Sequence, residues 1–209
     1  MARGRFISLE GGEGVGKSTQ LAALAEALAD SGLTMLVTRE PGGSPGAEAI
    51  RKLLLEGDET RWNPRAEALL FAAARSDHVE QTIRPALDRG EWVLSDRFLD
   101  SSLAYQGQAG GLGIDAVRAL HRFGSQDTLP DRSLILQLEE GEAAARAYHR
   151  DGGAGDRIGS RSVSYHAAVD AGFRTMAERE PDRVKLIDAS GPAASVTARL
   201  LAALDDLLQ

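Results

Sequence analysis

Gly11-Gly12-Glu13-Gly14-Val15-Gly16-Lys17-Ser18 is the stretch that decides the fold, and it matches the pattern G-x-x-x-x-G-K-S. Glycine-rich backbone can wrap closely around a polyphosphate and point successive N–H groups at its oxygens. Lys17 places a positive charge near the transferable phosphates, and the hydroxyl of Ser18 can bind Mg²⁺. The sequence therefore predicts a site for the phosphates and Mg²⁺ of a nucleotide.

The segments on both sides of this stretch have the character that a phosphate loop requires. Phe6 to Leu9 is a short apolar run that predicts a buried strand. Thr19 to Asp30 is rich in Ala and Leu and predicts a helix that ends at Gly32. A bound anion then lies at the helix N-terminus, where free N–H groups and the helix dipole favour it. A chance glycine-rich turn would not account for this order of strand, loop and helix.

Length and composition limit the classes of protein that fit. The chain has 209 residues, which suits one α/β domain over residues 1–209. A net charge of −7 with no long basic run argues against a nucleic-acid polymer as partner. The absence of cysteine fits a reducing cytoplasm and excludes disulfides and a cysteine nucleophile. We see no apolar run of membrane-spanning length and no room for a signal peptide, so we expect a cytoplasmic protein without a membrane partner.

Five apolar runs alternate with helical patterns along the chain. This alternation predicts a five-stranded parallel sheet covered by helices on both faces, the three-layer α/β fold of P-loop proteins. The predicted strands are Phe6 to Leu9, Met35 to Thr38, Trp92 to Ser95, Leu134 to Leu138, and Val184 to Asp188.

Charged residues follow two of the predicted strands directly. Arg39 and Glu40 come after the second strand, and Asp96 and Arg97 come after the third. Ligands of open α/β sheets bind beyond the carboxyl ends of the strands. We therefore expect Asp96 to approach the Mg²⁺ of the phosphate loop and Arg97 to form a bidentate contact with a phosphate.

Two further groups of residues leave alternatives open when taken alone. Phe71 and Arg75 are four residues apart and share a helix face, which suits a planar base but also describes a core Phe and a solvated Arg. Four arginines surround a glycine-rich segment at 151–155, and they form either a solvated surface or a lid over residues 146–161 that closes on phosphates. The phosphate loop favours the lid. The arginines are Arg146, Arg150, Arg157 and Arg161.

The phosphate loop by itself does not distinguish a switch, a motor and a kinase. The only asparagine, Asn63, is followed by Pro64, so the N-K-x-D element that reads guanine in GTPases is absent. A motor would normally need a longer chain. A small domain with a second set of arginines favours transfer to a small phosphate, whose ionised oxygen needs no strong general base.

The chain resembles the bacterial thymidylate kinases over nearly its whole length. The matching blocks are 9–19 (LEGGEGVGKST), 38–43 (TREPGG), 70–75 (LFAAAR), 96–98 (DRF), 101–107 (SSLAYQG) and 156–158 (DRI). The resemblance implies ATP-dependent phosphorylation of dTMP to dTDP by direct in-line transfer, for dTTP synthesis, with Mg²⁺ and a homodimer. A nucleoside-monophosphate kinase for another base and a non-catalytic nucleotide-binding regulatory module are the alternatives.

The same resemblance implies roles for individual residues. The residues implied for ATP are Gly11, Gly12, Glu13, Gly14, Val15, Gly16, Lys17, Ser18 and Thr19. Those implied for dTMP are Glu13, Arg39, Phe71, Arg75, Arg97, Ser102, Tyr105 and Gln106. Phe71 would stack on thymine, Arg75 would bond its edge, and Tyr105 would pack under the deoxyribose. Ser18 and Asp96 would bind the metal ion.

The source of the catalytic positive charge follows from what the phosphate loop lacks. Some members of this family carry an arginine inside the loop, but none of the residues Gly12 to Val15 is basic here. The resemblance then implies that the lid supplies the cation. The implied catalytic residues are Lys17, Arg97, Arg150 and Arg157. Gly159 and Gln137 stand where the family often has Glu and Asp.

Overall fold

A five-stranded parallel sheet forms the centre of the chain in the computed structural model, which describes residues 3–58, 60–139, 141–143, 146 and 157–208. Its strands are β1 (Phe6–Gly11), β2 (Met35–Arg39), β3 (Trp92–Asp96), β4 (Arg132–Gln137) and β5 (Val184–Asp188). The order across the sheet is β2-β3-β1-β4-β5, and every neighbouring pair is parallel. The fold class and all five predicted strands are confirmed.

Helices connect the strands. They are α1 (Lys17–Asp30), α2 (Pro45–Leu55), α3 (Pro64–His78), α4 (Arg84–Asp88), α5 (Leu99–Ser102), α6 (Ile114–Ser125), α7 (Val163–Arg179) and α8 (Ala193–Ala202). Two segments are π-helical, Val79–Ile83 and Leu103–Ala109, and Asp205–Leu207 is a short 3-10 helix. Within the part of the chain that the structure describes, no helix combines the length and the apolar character needed to cross a bilayer.

The sheet is buried on both faces because the side chains of its central strands alternate between two cores. Phe6 of β1 packs into a core with α7, whereas its neighbour Ile7 packs into a second core with α1 and α8. Parallel strands covered on both sides are apolar throughout rather than at alternate positions. This is why β1 could be recognised as a short continuous apolar run.

The long helix predicted over Arg65 to Leu87, with a break near Pro85, is interrupted as expected. The regular helix α3 ends at His78, and α-helical geometry returns at Arg84 after five π-helical residues. Proline has no N–H to donate to the carbonyl four residues earlier, so it disrupts the regular ladder at this point.

The predicted lid at 146–161 lies partly outside the described residues. The structure describes Arg146 and residues 157–161, and Arg146 has helical backbone geometry, as do residues 141–143. Arg150 and the glycine-rich segment at 151–155 lie outside the described residues.

Candidate active site

The phosphate loop has the geometry that its sequence predicts. It leaves β1 at Gly11, whose φ of 135° and close approach to Leu136 exclude a side chain, since a Cβ there would lie 2.6 Å from the carbonyl oxygen of Leu136. It enters α1 through Gly16, which has a left-handed φ of 92°. Lys17 folds back over the loop, and its Nζ donates to the carbonyl oxygens of Gly12 at 2.6 Å and Gly11 at 3.2 Å. The predicted strand, loop and helix are therefore in place.

Lys17 lies in a pocket on the phosphate side of the site. Burial and the nearby positive charge of Arg97 together lower the pKa of Lys17 to about 8, against the opposing effect of Glu13 and Asp96. The group still carries its charge at neutral pH. The pocket is lined by Glu13, Gly14, Gly16, Lys17, Ser18, Thr19, Arg39, Glu40, Arg51, Asp96, Arg97 and Arg146.

The two predicted metal ligands both line this pocket. Oδ1 of Asp96 is buried and makes no hydrogen bond within the described residues, and Ser18 is exposed at the start of α1. Carboxylate and hydroxyl oxygens suit Mg²⁺. Among the described residues there is no cluster of three or more His, Cys, Asp or Glu side chains that could hold a metal ion. Asp96 and Ser18 nevertheless suit Mg²⁺, an ion that proteins commonly bind through one or two carboxylates together with substrate phosphates.

Arg97 joins the phosphate loop to the rest of the site. Its backbone is left-handed, with a φ of 69°, and its N–H donates to the carbonyl of Leu9 at 2.9 Å. Its guanidinium donates to the carbonyl of Gly11 at 2.8 Å and to the carboxylate of Glu13 at 2.7 Å. The other side of the guanidinium faces the ring of Tyr105, 5.2 Å from the ring centroid. Arg97 is thus held against the phosphate loop, directly after the end of β3.

A buried carboxylate fixes the chain that follows Arg97. Glu10 of β1 accepts hydrogen bonds from the backbone N–H of Phe98 at 2.9 Å and from the hydroxyl of Ser101 at 2.5 Å. Burial, followed by the negative charge of Asp100, raises the pKa of Glu10 to about 7. Glu10 is not among the residues predicted for the site. Its contacts with Phe98 and Ser101 fix the path of the chain from Arg97 into α5.

Arg75 is buried, and three hydrogen bonds fix its guanidinium. Its Nε donates to Glu40 at 2.7 Å, and its Nη2 donates to Ser102 at 2.8 Å and to the carbonyl of Phe98 at 3.1 Å. A solvated surface arginine, the alternative that Arg75 and Phe71 left open in isolation, is therefore excluded. Arg75 and Ser102 both belong to the wall of a second pocket, as does Phe71.

The remaining residues predicted for dTMP lie at the same crevice. Tyr105 and Gln106 line the second pocket from the π-helical segment Leu103–Ala109. Glu13 reaches this pocket from the phosphate loop. Arg39 lies at the carboxyl end of β2, where it is half exposed, pairs with Glu48 at 3.1 Å and lines the phosphate pocket.

The two pockets adjoin each other. Their common wall is formed by Glu13, Glu40, Arg51 and Arg97. Two arginines and two carboxylates therefore separate a phosphate loop from a pocket with an aromatic ring and a buried guanidinium. Two phosphorylated ligands bound there would meet at this wall.

Arg51 is a site residue that the sequence reasoning missed. It lies in the middle of α2, lines both pockets, and donates to the carbonyl of Pro41 at 2.5 Å. The only signal in the sequence is a basic residue on the helix that follows the proline- and glycine-rich loop after Arg39. That signal is weak, because most basic residues on amphipathic helices face solvent.

The predicted lid arginines that the structure describes lie in two different places. Arg146 lines the phosphate pocket and pairs with Glu142 at 2.5 Å. Arg157 is not brought to the phosphate loop, because its buried guanidinium pairs with Glu67 at 2.6 Å and bonds the carbonyl of Leu54 at 2.7 Å. Arg161 pairs with the same oxygen of Glu67 at 2.6 Å.

Comparisons with known proteins agree with this geometry. A family model described as thymidylate kinase matches residues 9–200. The chain is 58% identical over 205 residues to the thymidylate kinase of Rhizorhabdus wittichii. The matched residues cover 98% of this chain and 99% of that protein. The chain belongs to the thymidylate kinase family. It is also 48% identical over 200 residues to the thymidylate kinase of Caulobacter vibrioides, covering 96% of this chain and 95% of that protein.

A solved structure supports the same relationship in three dimensions. The crystal structure of thymidylate kinase from Ehrlichia chaffeensis matches with a TM-score of 0.76 at 28% sequence identity, over 97% of this chain and 99% of that one. Enzymes of the thymidylate kinase family phosphorylate dTMP to dTDP with ATP. The family and the activity predicted from the sequence are therefore confirmed.

The contacts of Glu40 yield a prediction about stability and pH. Burial alone raises the pKa of Glu40, but Arg75 and His78 outweigh burial and hold it below its ordinary value of 4.5. We expect Glu40→Gln to lower the free energy of unfolding at pH 7 by about 3–5 kcal/mol, because it leaves Arg75 buried without its carboxylate. A carboxyl group whose pKa is lower in the folded protein than in the unfolded chain stabilises the fold fully at pH values above its unfolded pKa. This stabilisation is lost as the pH falls through the folded pKa. The difference between the two proteins should therefore shrink below about pH 4.

Urea unfolding at a series of pH values from neutral to acid measures this difference. Glu48→Gln is the matched control, because Glu48 lies in the first turn of α2, directly after the loop that carries Glu40, and is 41% exposed. It should cost about 1 kcal/mol or less at pH 7. A loss for Glu40→Gln that is the same at acid and neutral pH would show that its charge is not what stabilises the fold.

Proposed function

We propose that this chain carries out the reaction of its family, phosphorylation of dTMP to dTDP by ATP, as a single in-line step across the common wall of the two pockets. The observation that carries the proposal is that wall, where Arg97 lies between the phosphate loop and the pocket with Phe71 and Arg75. An oxygen of the dTMP phosphate attacks the γ-phosphorus, and the bond from that phosphorus to the oxygen of ADP breaks. The attacking oxygen is already ionised at neutral pH, so positioning and charge stabilisation lower the barrier.

The donor side of the site is residues Gly11 to Thr19. Their backbone N–H groups bind the phosphates of ATP at the N-terminus of α1. Lys17 exchanges the loop carbonyls that it contacts for phosphate oxygens, which are stronger partners because the hydrogen bonds are then charge-assisted on both sides. Ser18 and Asp96 would hold Mg²⁺, which would neutralise charge on the phosphates.

The second pocket, called the acceptor pocket from here on, recognises thymine and its phosphate. Phe71 stacks on the base, and Arg75, fixed by Glu40, donates to the base edge together with Ser102. Arg39, Arg51 and Arg97 neutralise the dTMP phosphate. Tyr105 packs under the deoxyribose, Glu13 lies near the sugar 3′-hydroxyl, and Gln106 supports the pocket.

The lid at 146–161 belongs to the same domain, residues 1–209, and supplies a further cation. Arg150 is our first candidate, because the guanidinium of Arg157 is held by Glu67 in this structure. The protein acts in the cytoplasm on the small molecules ATP and dTMP, without a nucleic-acid polymer.

A coupled assay of ADP release across dTMP, dUMP, dCMP, dGMP and AMP, with and without Mg²⁺, tests the proposal. We expect turnover with dTMP and Mg²⁺ and much less with dCMP, dGMP and AMP, because Arg75 and Ser102 are fixed for one base edge. Uracil presents the same edge as thymine, so the comparison of dUMP with dTMP measures what the 5-methyl group of thymine contributes. A preference for another base would identify a different nucleoside-monophosphate kinase. Binding of ATP and dTMP without formation of dTDP would identify a regulatory module.

The role of Arg150 yields a second prediction. Arg150→Ala should lower kcat by about 10³-fold or more, the range for loss of an arginine that stabilises a phosphoryl-transfer transition state. The dissociation constant for dTMP, measured by calorimetry, should stay within about twofold, since a group that acts only in the transition state adds little to ground-state binding. Arg89→Ala is the control, because Arg89 is exposed and pairs with Glu91 at the surface. An unchanged kcat would remove Arg150 from the mechanism.

The homodimer implied by the family resemblance is also part of the proposal. Phe123 on α6 is 92% exposed and Leu69 on α3 is 56% exposed. The two helices are neighbours, since the hydroxyl of Ser76 donates to the carbonyl of Gly124. Two large exposed apolar side chains on adjacent helices favour this face as the interaction surface. A second copy of the chain covers this surface through a two-fold interface.

Light scattering coupled to gel filtration tests the dimer. The wild type should have about twice the 22.2 kDa mass of the chain, and Phe123→Asp should give the monomer mass, because it places a charge in the buried interface. Val163→Asp introduces the same charge at another exposed apolar residue, on α7, and should leave the dimer intact. A monomeric wild type, or a Phe123→Asp variant that stays dimeric, would contradict the proposed surface.

A further inference from the structure

Glu67 is a buried carboxylate beside the acceptor pocket whose contacts have no part in the function described so far. It lies in the first turn of α3 and is 1% exposed. Its Oε1 accepts from Nε2 of Gln106 at 2.9 Å, and its Oε2 accepts from Nη2 of Arg157 and of Arg161, each at 2.6 Å. One carboxylate thus joins α3, the π-helical segment Leu103–Ala109 and the end of the predicted lid.

The partners of Glu67 lead directly to the wall of the acceptor pocket. Gln106 lines that pocket, and so does Ile158, which lies next to Arg157 in the chain. Nε of Arg157 also donates to the carbonyl of Leu54, and the next residue, Leu55, lines the pocket as well. Three parts of the wall are therefore fixed by Glu67 or by the arginine that it holds.

The same contacts keep Arg157 away from the donor phosphates. The side chain of Arg157 is fully buried, and its pairing carboxylate is 2% exposed. Separating a buried ion pair leaves each charge without compensation in a poorly solvated place, which is strongly unfavourable. Arg157 cannot turn towards ATP without breaking this pair, and it does not line the phosphate pocket.

We propose that Glu67 and Arg157 are positioning residues for dTMP: their buried ion pair fixes Gln106, Ile158 and Leu55, and Arg157 acts on the acceptor through Glu67 rather than on the phosphates of ATP. This inference rests on the proposed function, since it assigns the second pocket to dTMP. The arginines of the predicted lid that the structure describes then fall into two groups, according to what they contact. Arg157 and Arg161 anchor the end of the lid to α3, whereas Arg146 lines the phosphate pocket.

The test is a double-mutant cycle with steady-state kinetics. The variants are Glu67→Gln, Arg157→Gln and the double variant, and the control is Glu80→Gln, which makes the same chemical change at an exposed residue that pairs with Arg84. Each single variant should raise KM for dTMP by about tenfold, equivalent to ~1.4 kcal/mol, because Arg157 loses its carboxylate or Glu67 loses one of its two arginines, and the wall is distorted. KM for ATP should stay within about twofold in every variant, since Lys17 and the phosphate loop are untouched. The control should match the wild type.

The double variant distinguishes the proposal from a direct role of Arg157 at ATP. If the two residues act as a pair, kcat/KM for dTMP in the double variant should be no lower than in the worse single variant, because both charges are removed together. Glu67→Gln could fail to fold, and in that case the double variant is compared with Arg157→Gln alone and should be at least as active. Calorimetry gives the dissociation constant for dTMP, and thermal unfolding gives the stability of each variant without ligand. Comparing the two shows whether a variant binds dTMP more weakly than its loss of stability explains.

Three results would overturn the inference. The first is additive losses in kcat/KM, which would mean that Glu67 and Arg157 act independently. The second is a lower kcat or higher KM for ATP in Arg157→Gln with KM for dTMP unchanged, which would place Arg157 at the donor. The third is dTMP binding that changes no more than in Glu80→Gln. Failure of the proposed function is a separate outcome, because the wild type itself would then form no dTDP.

Discussion

The hydrogen bonds of Arg97 are the constraint on which the rest of the site depends. Its guanidinium holds the carbonyl of Gly11 and the carboxylate of Glu13, and its backbone bonds Leu9, so the end of β3 is tied to the phosphate loop that follows β1. The left-handed backbone at Arg97 turns the chain sharply into α5. Since α5 and the π-helical segment after it carry Ser102 and Tyr105, the acceptor pocket is built outward from this turn.

Paired charges give the site its rigidity. Glu40 holds Arg75, Glu13 holds Arg97, and Glu67 holds Arg157, and in two of these pairs both side chains are almost completely buried. A buried charge is tolerated only when it is paired and hydrogen-bonded, so each pair fixes the orientation of its arginine. An arginine fixed before the ligand arrives loses little further freedom on binding, which favours affinity and selects for a ligand of matching shape.

Local sequence was enough for the parts of the site that lie within one strand and the turn that follows it. The phosphate loop, Arg39, Asp96 and Arg97 were placed at the crevice because the carboxyl ends of parallel strands meet there. Phe71 and Arg75 are ambiguous in the sequence alone, because a shared helix face does not show what the face contacts. The sequence does not single out Arg51, because a basic residue in a helix does not reveal its partner. For the same reason, the arginine beside the glycine-rich segment, Arg157, is predicted from the sequence to serve the phosphates.

The sequence by itself determined the P-loop fold, the five strands, the phosphate loop and the family, because these depend on short-range patterns of glycine, charge and apolar residues. Only the tertiary structure decided which carboxylate each arginine meets. Glu67 and Arg157 are 90 residues apart in the chain, and Glu40 and Arg75 are 35 apart. A charged side chain in a sequence can face water or a partner, and burial, which arises only when distant elements pack together, determines which of the two it does.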